Sequence, residues 1–367
     1  MNSLVFSNML HRPARTIVSI IGIGIGILLI VFTVGLANGS LRERAQREAN
    51  VGAEIMFRAS GSIGLSGSES LRLPVKLVGE IEKIEGVATA VAIGQNTVSV
   101  KDATTGTRLL DGVDYDKYAE IAQLQIVKGR KMAASGNEVI CDAAWMQQKN
   151  LSIGDDIPLY EQNFKLVGVY EPSAGARIKI PLATMQTQLG SEGKASAFLV
   201  KIKDGVTAET VAANIQAKFP DNQIILTKEL EELYMQGFPA LNVFLNVVIG
   251  VAGAISALII LLTMYTTVTE RTRQIGVLKS LGMSNVNIAW TIVQEAVLIS
   301  FGGIMFGLVA TYFLSLALNK WSTLIVQIEP KVVISILVVG LISGVIGALY
   351  PGLRAARLDA VEALNYD

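Results

Sequence analysis

The residues that most often carry nucleophilic, acid–base or metal chemistry are scarce in this sequence. Among its 367 residues there is one histidine, His11, and one cysteine, Cys141. A single cysteine forms neither an intrachain disulfide nor a thiolate metal site, and one histidine makes no histidine cluster for zinc. We therefore expect no catalytic residues and no metal site. His11 fits an anchor at a membrane interface better than a pH switch, and Cys141 fits a small core residue.

One carboxylate lies inside a long apolar stretch. Glu295 is the single charged residue between about Val286 and Leu318. An acidic residue at membrane depth is a candidate functional group, because a charge in hydrocarbon is costly. Two roles stay open from the residues alone: a substrate or proton site, and a structural contact toward the preceding polar loop.

The elements that must position these residues are mostly membrane helices. Hydrophobic residues make up 51% of the chain and charged residues 17%, whereas soluble proteins carry about a quarter charged residues. Four stretches have at most one charge and are long enough, as helices, to cross a bilayer. They are residues 17–37, 238–269, 286–318 and 332–353. The first is too long for a signal-peptide core and lacks a good cleavage site after it, so we expect an uncleaved helix.

Basic residues orient these helices. Lysine and arginine concentrate in cytoplasmic loops of membrane proteins, and a cytoplasmic N-terminus puts most of the flanking basic residues on the inner side. Those inner residues are Arg12, Arg15, Arg271, Arg273, Lys279, Arg354 and Arg357. The outer loop between the last two helices holds only Lys320 and Lys331. The pattern predicts a multi-pass protein with both termini in the cytoplasm and a large extracytoplasmic domain after the first helix.

The extracytoplasmic segment has the pattern of an α+β domain. Strands are predicted at 52–60, 87–100, 198–202 and 223–226, with helices starting at Pro74 and Thr207. Between these two strand–helix–strand units, the pattern of residues 101–194 predicts an inserted β-rich lobe. Both ends of the domain, 40–50 and 227–236, look helical and join the membrane helices, either as rigid stalks or as solvated linkers.

The loop between the second and third membrane helices is amphipathic. Ile275, Leu278 and Leu281 recur at helical spacing, and Arg271, Arg273 and Lys279 supply charge. Such a helix can lie on the membrane surface, with its basic residues on anionic lipid, or it can dock into a groove of a cytoplasmic partner.

The sequence of this loop, ERTRQIGVLKSLGMS at 270–284, resembles the coupling motif of the FtsX/MacB-like permeases, the type VII ABC transporter family. The first helix with its basic lead-in and glycine-rich core, and the terminal GALYPGLRAARLDAVEALNYD, resemble the same family. So do LQIVKGRKM, NLSIGDDIPL and NFKLVGVYEP in the extracytoplasmic segment, which are similar to runs of the MacB periplasmic domain. The resemblance covers nearly the whole chain in order. It departs from the family pattern at Gln274, usually glutamate, at Gly352, usually alanine, and at Ala360, usually proline.

The resemblance implies a fold and its boundaries. The fold is an α-helical membrane protein with four transmembrane helices plus a large α+β extracytoplasmic domain, a MacB-like periplasmic core with an inserted β-rich lobe. The expected segments are an amphipathic lead-in helix at 1–15, membrane helices at 16–38, 238–269, 286–318 and 332–353, the extracytoplasmic domain at 39–237, a coupling loop at 270–285, an outer loop at 319–331 and a cytoplasmic tail at 354–367.

The resemblance also implies partners. No G-x-x-x-x-G-K-[ST] phosphate loop occurs in the sequence, so we expect ATP and Mg²⁺ to be bound by a separate cytoplasmic ABC ATPase and no cofactor by this chain. The residues expected to couple to that ATPase are Glu270, Arg271, Arg273, Gln274, Ile275, Gly276, Lys279, Leu281 and Gly282. The family's "Q/L-E-A" pattern around Glu295 favours a structural role for that carboxylate.

Small residues four apart permit close helix approach in lipid. Gly22, Gly26, Gly35 and Gly39 fit this spacing in the first helix, and Gly303/Gly307 and Gly340/Gly344 fit it later. These pairs serve packing within the chain or, as the resemblance implies for the first helix, a homo- or heterodimer with a second permease copy.

The expected function is that of a non-catalytic permease subunit in a bacterial cell (inner) membrane. Movement of the coupling loop would be transmitted to the extracytoplasmic domain (mechanotransmission), for export or extraction of a hydrophobic or amphipathic substrate or a peptide. A membrane-fusion adaptor and an outer-membrane channel would follow in a host with two membranes. Two alternatives stay open: FtsX-like signalling to a cell-wall hydrolase, and a membrane-anchored binding protein without an ATPase.

Overall fold

The structure is a computed structural model. It describes residues 13–59, 71–100, 106–230, 232–233, 239–321 and 326–359. The predicted lead-in helix before Pro13, the loop at 60–70, and residues 231 and 234–236 of the second predicted stalk (227–236) therefore lie outside the described residues. Within that stalk, Thr227–Glu229 form a 3-10 helix. The chain divides into two compact units. The helical unit comprises residues 1–39, Pro239–Lys320 and Leu324–Asp367; the sheet unit comprises Ser40–Phe238 and Trp321–Thr323.

The first helix, α1, contributes to both units. It runs without a break over Pro13–Ala49, so residues 40–49 form a helix within the sheet unit. We call residues 40–49 the stalk segment. Its sequence, SLRERAQREA, consists mostly of good helix formers, including arginine and glutamate. This explains why the helix continues beyond the charge-free stretch.

The sheet unit is built on one large mixed sheet. Its strand order is β12-β1-β11-β3-β4-β9-β6-β8-β5, with β7 added to β8, and β2 pairs with β10 separately. The strands are β1 Ile55–Arg58, β2 Leu73–Pro74, β3 Val87–Ser99, β4 Thr107–Val113, β5 Gln125–Gly129, β6 Glu138–Asp142, β7 Asp156–Leu159, β8 Gln162–Glu171, β9 Ile178–Pro181, β10 Lys194–Ala195, β11 Ala197–Ile202 and β12 Gln223–Leu226. The helices between them are α2 Val78–Ile81, α3 Tyr115–Ala122, α4 Ala143–Lys149, α5 Leu182–Gln188 and α6 Ala208–Lys218.

The segment predicted as an inserted lobe extends this sheet. The long strand β3 pairs with β11 on one side and with β4 on the other, both antiparallel. From β4 the sheet continues through the parallel β4–β9 pair and the parallel β6–β8 pair. The two strand–helix–strand units and the insertion therefore share backbone hydrogen bonds.

Both faces of the central strands are buried. On β1, Ile55 and Phe57 pack toward Val211 of α6, and Met56 packs toward Ile121 of α3. A third apolar cluster, which includes the fully buried Cys141, fills the β6–β8–β9 end of the sheet. This confirms the prediction that Cys141 is a core residue.

Charged side chains are buried within the same sheet. The Arg58 guanidinium donates to Gln95 Oε1 at 2.9 Å, and Gln95 Nε2 donates to Asp111 Oδ1 at 3.2 Å. Lys179 Nζ donates to Asp111 Oδ2 at 3.1 Å and also contacts the faces of Tyr118 and Tyr170. Buried charges are tolerated when they are paired and hydrogen-bonded, and the Lys179–Asp111 pair meets that condition.

The helical unit contains the remaining long helices. They are α7 Pro239–Glu270, the short α8 Thr272–Ser280, α9 Asn285–Trp321 and α10 Pro330–Arg357. Four described helices, α1, α7, α9 and α10, are long and apolar enough to cross a membrane. Together with the sheet unit they confirm the predicted fold class, a four-helix membrane protein with a large α+β domain.

Glycines set the closest helix contacts in this unit. A Cβ added at Gly303 of α9 would lie 2.6 Å from Ile23 Cγ2, and one at Gly307 would lie 2.7 Å from the Gly24 carbonyl oxygen of α1. A Cβ at Gly347 of α10 would lie 2.4 Å from the Ala257 carbonyl oxygen of α7. These helices approach closely because no side chain separates their backbones there.

Candidate functional site: the α8 elbow

The short helix α8 is defined by a break before it and a glycine turn after it. Arg271, between α7 and α8, leaves helical geometry at φ −107° and ψ 13°. After α8, Gly282 adopts a left-handed φ of +91°. Its amide donates to the Lys279 carbonyl, and the Met283 amide donates to the Leu278 carbonyl, which is the Schellman pattern of helix termination. We call residues 270–284 the α8 elbow.

The inner side of the elbow is fixed to α9 by an ion pair. Arg271 Nη1 lies 3.6 Å from Glu295 Oε2, and the two side chains are 13% and 8% exposed. Glu295 therefore acts as the partner of the elbow rather than lying alone in the helix. Thr272, Ile275 and Gly276 are also buried on this side.

A second contact fixes the elbow to the end of α10. Lys279 Nζ donates to the carbonyl oxygens of Ala356 at 2.8 Å and Leu358 at 2.6 Å. The last carbonyls of a helix have no intrahelical donor, and a cation there also opposes the negative end of the helix dipole. Lys279 thus closes the C-terminus of α10 while it holds α8.

The outer side of the elbow is exposed and partly apolar. Leu281 is 79% exposed and Val277 is 43% exposed. Arg273, Val277 and Leu281 lie four residues apart, so they follow one ridge of the surface. Gln274 and Gly282 are exposed next to that ridge. We call Arg273, Val277 and Leu281 the exposed ridge.

This geometry divides the residues of the amphipathic loop between two sides. Ile275 is buried and Leu278 is half-buried, whereas Leu281, at the end of α8, is exposed. Of the three basic residues, Arg271 and Lys279 turn inward, to Glu295 and to the α10 carbonyls, and Arg273 is exposed. The three apolar residues therefore do not form one buried stripe.

Polar contacts also tie the neighbouring helix ends together. Arg15 of α1 forms an ion pair with Glu270 and lies 3.5 Å from Thr267 Oγ1 of α7. The Arg354 guanidinium of α10 lies 4.8 Å from the centre of the Tyr265 ring. From the sequence alone, Arg15 and Arg354 indicate only the orientation of the helices. Their partners lie more than 80 residues away along the chain, so no local pattern reveals them.

The four glycines predicted on α1 differ in their surroundings. Gly35 packs within the chain, since an added Cβ would lie 2.8 Å from Val326 Cγ1, and Gly39 is buried. A Cβ added to Gly22 would have its nearest neighbour, Ile259 Cδ1, at 3.9 Å, and a Cβ added to Gly26 would have no neighbour within 4 Å. The close α1–α9 contact is made instead by Gly24.

Across the described ranges, no three histidine, cysteine, aspartate or glutamate side chains form a group suited to a metal ion.

Family comparison covers both units of the chain. The MacB-like periplasmic core domain matches residues 16–218, and the FtsX-like permease C-terminal domain matches residues 246–360. The chain belongs to the MacB/FtsX family of ABC transporter permeases. The α8 elbow falls within the second of these matches.

Individual relatives of this permease differ in length. It is 24% identical to the uncharacterised ABC transporter permease YknZ of Bacillus subtilis, over 99% of this chain and 98% of YknZ. It is 26% identical to the macrolide export ATP-binding/permease protein MacB of Campylobacter jejuni, over 99% of this chain but 60% of MacB. The crystal structure of the periplasmic region of MacB from Actinobacillus actinomycetemcomitans aligns with 50% of this chain and 93% of that structure, at 15% identity and a TM-score of 0.38.

Proposed function

We propose that this permease is the transmembrane, non-catalytic subunit of an ABC complex whose cytoplasmic ATPase drives movement of the sheet unit through the α8 elbow. The observation that carries the proposal is the two-sided construction of the elbow. Its inner side is bound to α9 and α10 through Arg271 and Lys279, and its outer side presents the exposed ridge. Force applied to the ridge would therefore be passed to several membrane helices rather than absorbed by a loose loop.

The ridge has the composition of a protein contact. Apolar side chains at the centre of an interface, next to arginine, contribute most of the binding energy in typical complexes. Leu281 and Val277 supply the apolar part, and Arg273 supplies the charge. The relative from Campylobacter jejuni is named a macrolide export ATP-binding/permease protein, and this permease spans 60% of its length. Because no G-x-x-x-x-G-K-[ST] phosphate loop occurs in the sequence, the proposal assigns the binding of ATP and Mg²⁺ to a separate ATPase subunit.

The continuous helix α1 supports transmission between the units. Residues 13–39 belong to the helical unit and the stalk segment belongs to the sheet unit. An α-helix resists extension because every turn is hydrogen-bonded. We infer that displacement of α1 at its membrane portion displaces the stalk segment.

A second permease copy would complete the complex. On α1, an exposed apolar stripe at four-residue spacing is formed by Ile17, Ile21, Ile25 and Leu29. Gly26 borders this stripe, and a Cβ added to Gly26 would meet no atom within 4 Å. Small residues on such a face permit close approach of another helix. We propose dimerisation through this face, in a bacterial cell membrane with both termini cytoplasmic.

The proposed cargo is a hydrophobic or amphipathic compound or a peptide, exported or extracted on the outer side. Within the described parts of α1, α7, α9 and α10, Glu295 is paired with Arg271, which leaves it engaged in structure. Work on a cargo by the sheet unit suits this arrangement better than a charged path through the bilayer. An adaptor and an outer-membrane channel would belong to the complex in a host with two membranes.

The exposed ridge provides the decisive test. The full chain is purified with its ATPase, reconstituted in nanodiscs, and its ATP hydrolysis is measured. We expect Leu281→Asp to lower ATPase recovery or turnover roughly tenfold, as expected when about 1.4 kcal/mol of interface energy is lost. Because Leu281 is 79% exposed, the fold of the permease should be unaffected.

A matched control separates the ridge from general surface effects. Ile153 is an exposed apolar residue of the sheet unit, 43% exposed, and Ile153→Asp should keep normal activity. The proposal fails if no ATP-hydrolysing subunit accompanies the permease and if function survives replacement of Arg271, Ile275 and Leu281 by alanine. Copurification of a cell-wall hydrolase, with no effect on export, would favour the FtsX-like signalling role instead.

A further inference from the structure

A basic cavity lies in the sheet unit, away from the α8 elbow. Its volume is about 280 Å³. Five cationic side chains and one tryptophan line it, together with small and apolar residues, and its described lining contains no carboxylate. The cationic side chains are those of Arg44, Arg47, Arg108, Lys149 and Arg177.

These cations come from four separate elements. Arg44 and Arg47 lie one helical turn apart on the stalk segment, Arg108 lies on β4, Lys149 ends α4 and Arg177 precedes β9. No short sequence pattern unites them, because the first and last are 133 positions apart. The fold alone brings them to one cavity.

Two carboxylates outside the cavity wall form hydrogen bonds with two of these arginines. Glu43 accepts hydrogen bonds from Arg47 Nε at 2.8 Å and from Arg177 Nη2 at 2.7 Å. Asp142 accepts from Arg177 Nη1 at 2.9 Å. Neither Glu43 nor Asp142 lines the cavity, so these pairs orient Arg47 and Arg177 from outside the cavity wall.

The tryptophan on the cavity wall also orients one of the arginines. Trp145 is 8% exposed, and the Arg108 guanidinium lies 5.3 Å from the centre of its ring. Stacking of this kind fixes the plane of a guanidinium. Arg108 is thereby held against a rigid surface at the cavity.

We propose that this cavity binds a phosphoryl group and thereby ties the stalk segment to the sheet. Arginine forks match phosphate oxygens in bidentate hydrogen bonds, and a cleft lined by one sign of charge concentrates counter-ions. The volume lies just below the range of drug-sized ligand pockets, roughly 300–1,000 Å³, which suits a small anion or a headgroup rather than a whole lipid. The phosphoryl group belongs to a soluble phosphate or to a phospholipid headgroup.

Binding to the full-length chain tests this proposal without any ATPase. The chain is purified in dodecyl maltoside in phosphate-free buffer and titrated calorimetrically with inorganic phosphate, pyrophosphate and dihexanoyl phosphatidic acid. We expect saturable binding of at least one of these probes at one site per chain, weakened by added sodium chloride. Binding of the inorganic anions alone would assign a soluble source, and binding of phosphatidic acid alone would assign a headgroup.

Three variants locate the site. Arg108→Gln should weaken binding at least roughly tenfold, as for loss of one charge-assisted bidentate contact. Lys149→Gln, at an exposed residue whose loss leaves folding intact, should weaken it severalfold. Arg72→Gln, at an exposed arginine of the same unit outside the cavity, should bind as the wild type does.

The proposal is overturned by any of three results: no saturable binding of the three probes, equal weakening in Arg72→Gln and Lys149→Gln, or acetate binding as tightly as phosphate. The last result would replace the phosphoryl class by a carboxylate.

Discussion

Glu48 is an acidic residue of the stalk segment that is buried inside the sheet unit. It is 4% exposed, and burial, followed by the nearby Asp111 carboxylate, raises the pKa of Glu48 above its ordinary value of 4.5. Arg44, Arg58 and Arg47 oppose this effect. The carboxyl group faces Gln95, whose Nε2 lies 3.5 Å from it. The stalk is thus attached to the sheet through a group that favours its neutral form.

Replacing Glu48 by glutamine should remove a pH-dependent loss of stability. The pKa of Glu48 is higher in the folded than in the unfolded chain. Its contribution to the free energy of unfolding is therefore complete below pH 4.5 and is lost as the pH rises through the raised pKa. In Glu48→Gln that decline is absent. Thermal unfolding of the detergent-solubilised chain, followed by near-ultraviolet circular dichroism across this range, should give a flatter pH profile than the wild type.

A surface carboxylate serves as the control for this measurement. Glu120 on α3 is exposed, and Glu120→Gln should keep the wild-type slope. An unchanged slope in Glu48→Gln would show that Glu48 titrates alike in the folded and unfolded chains, contrary to this account.

At the scale of elements, two glycines distinguish packing within the chain from packing between chains. An added Cβ at Gly303 would lie 2.6 Å from Ile23 Cγ2, whereas at Gly26 it would meet nothing within 4 Å. Gly303→Val should therefore overpack the α1–α9 contact and cost about 1–3 kcal/mol, seen as a lower unfolding midpoint in detergent.

Gly26→Val is the matched variant on the facing helix. Its stability should stay within about 0.5 kcal/mol of the wild type, as for a surface change, while its tendency to dimerise, measured by mass photometry, should fall. Equal destabilisation by both variants would mean that α1 packs within one chain on both of its faces.

The sequence was most informative where one local pattern decides the structure. The four apolar stretches and the strand at 223–226 depend on residues close together in the chain, and the structure has helices and a strand there. Gly282, just past α8, adopts the left-handed conformation that glycine commonly takes after a helix end.

The sequence was least informative where long-range packing decides which way a side chain faces. On β1, the alternation of Met56 and Arg58 against Ile55 and Phe57 reads as one polar and one apolar face. Arg58 is nevertheless only 2% exposed, and its guanidinium donates a hydrogen bond to Gln95 of the distant strand β3. Leu281 shows the reverse case, an apolar residue that is 79% exposed on the outer side of the elbow. The partner of Arg58 lies 37 positions away along the chain, so no local pattern predicts the burial of that arginine.

At the scale of the whole molecule, the orientation of the membrane helices rests on the distribution of basic residues. Reactive labelling of introduced cysteines tests it directly, since the native Cys141 is fully buried and burial, with a smaller effect of Asp142, raises the pKa of its thiol to about 12. A thiol with so high a pKa holds little thiolate at neutral pH and reacts slowly. The wild-type chain should therefore give no labelling background.

Three exposed basic residues provide the labelling positions. Lys128 and Lys165 lie on β5 and β8 of the sheet unit, and Arg273 lies on the α8 elbow. With a membrane-impermeant maleimide on intact cells, Lys128→Cys and Lys165→Cys should react, and Arg273→Cys should react only after permeabilisation. Labelling of Lys128→Cys or Lys165→Cys from the same side as Arg273→Cys would put the elbow and the sheet on one side of the bilayer. An ATPase bound at the ridge would then lie on the same side of the membrane as the sheet unit. That result would contradict the proposal that α1 transmits force across the bilayer.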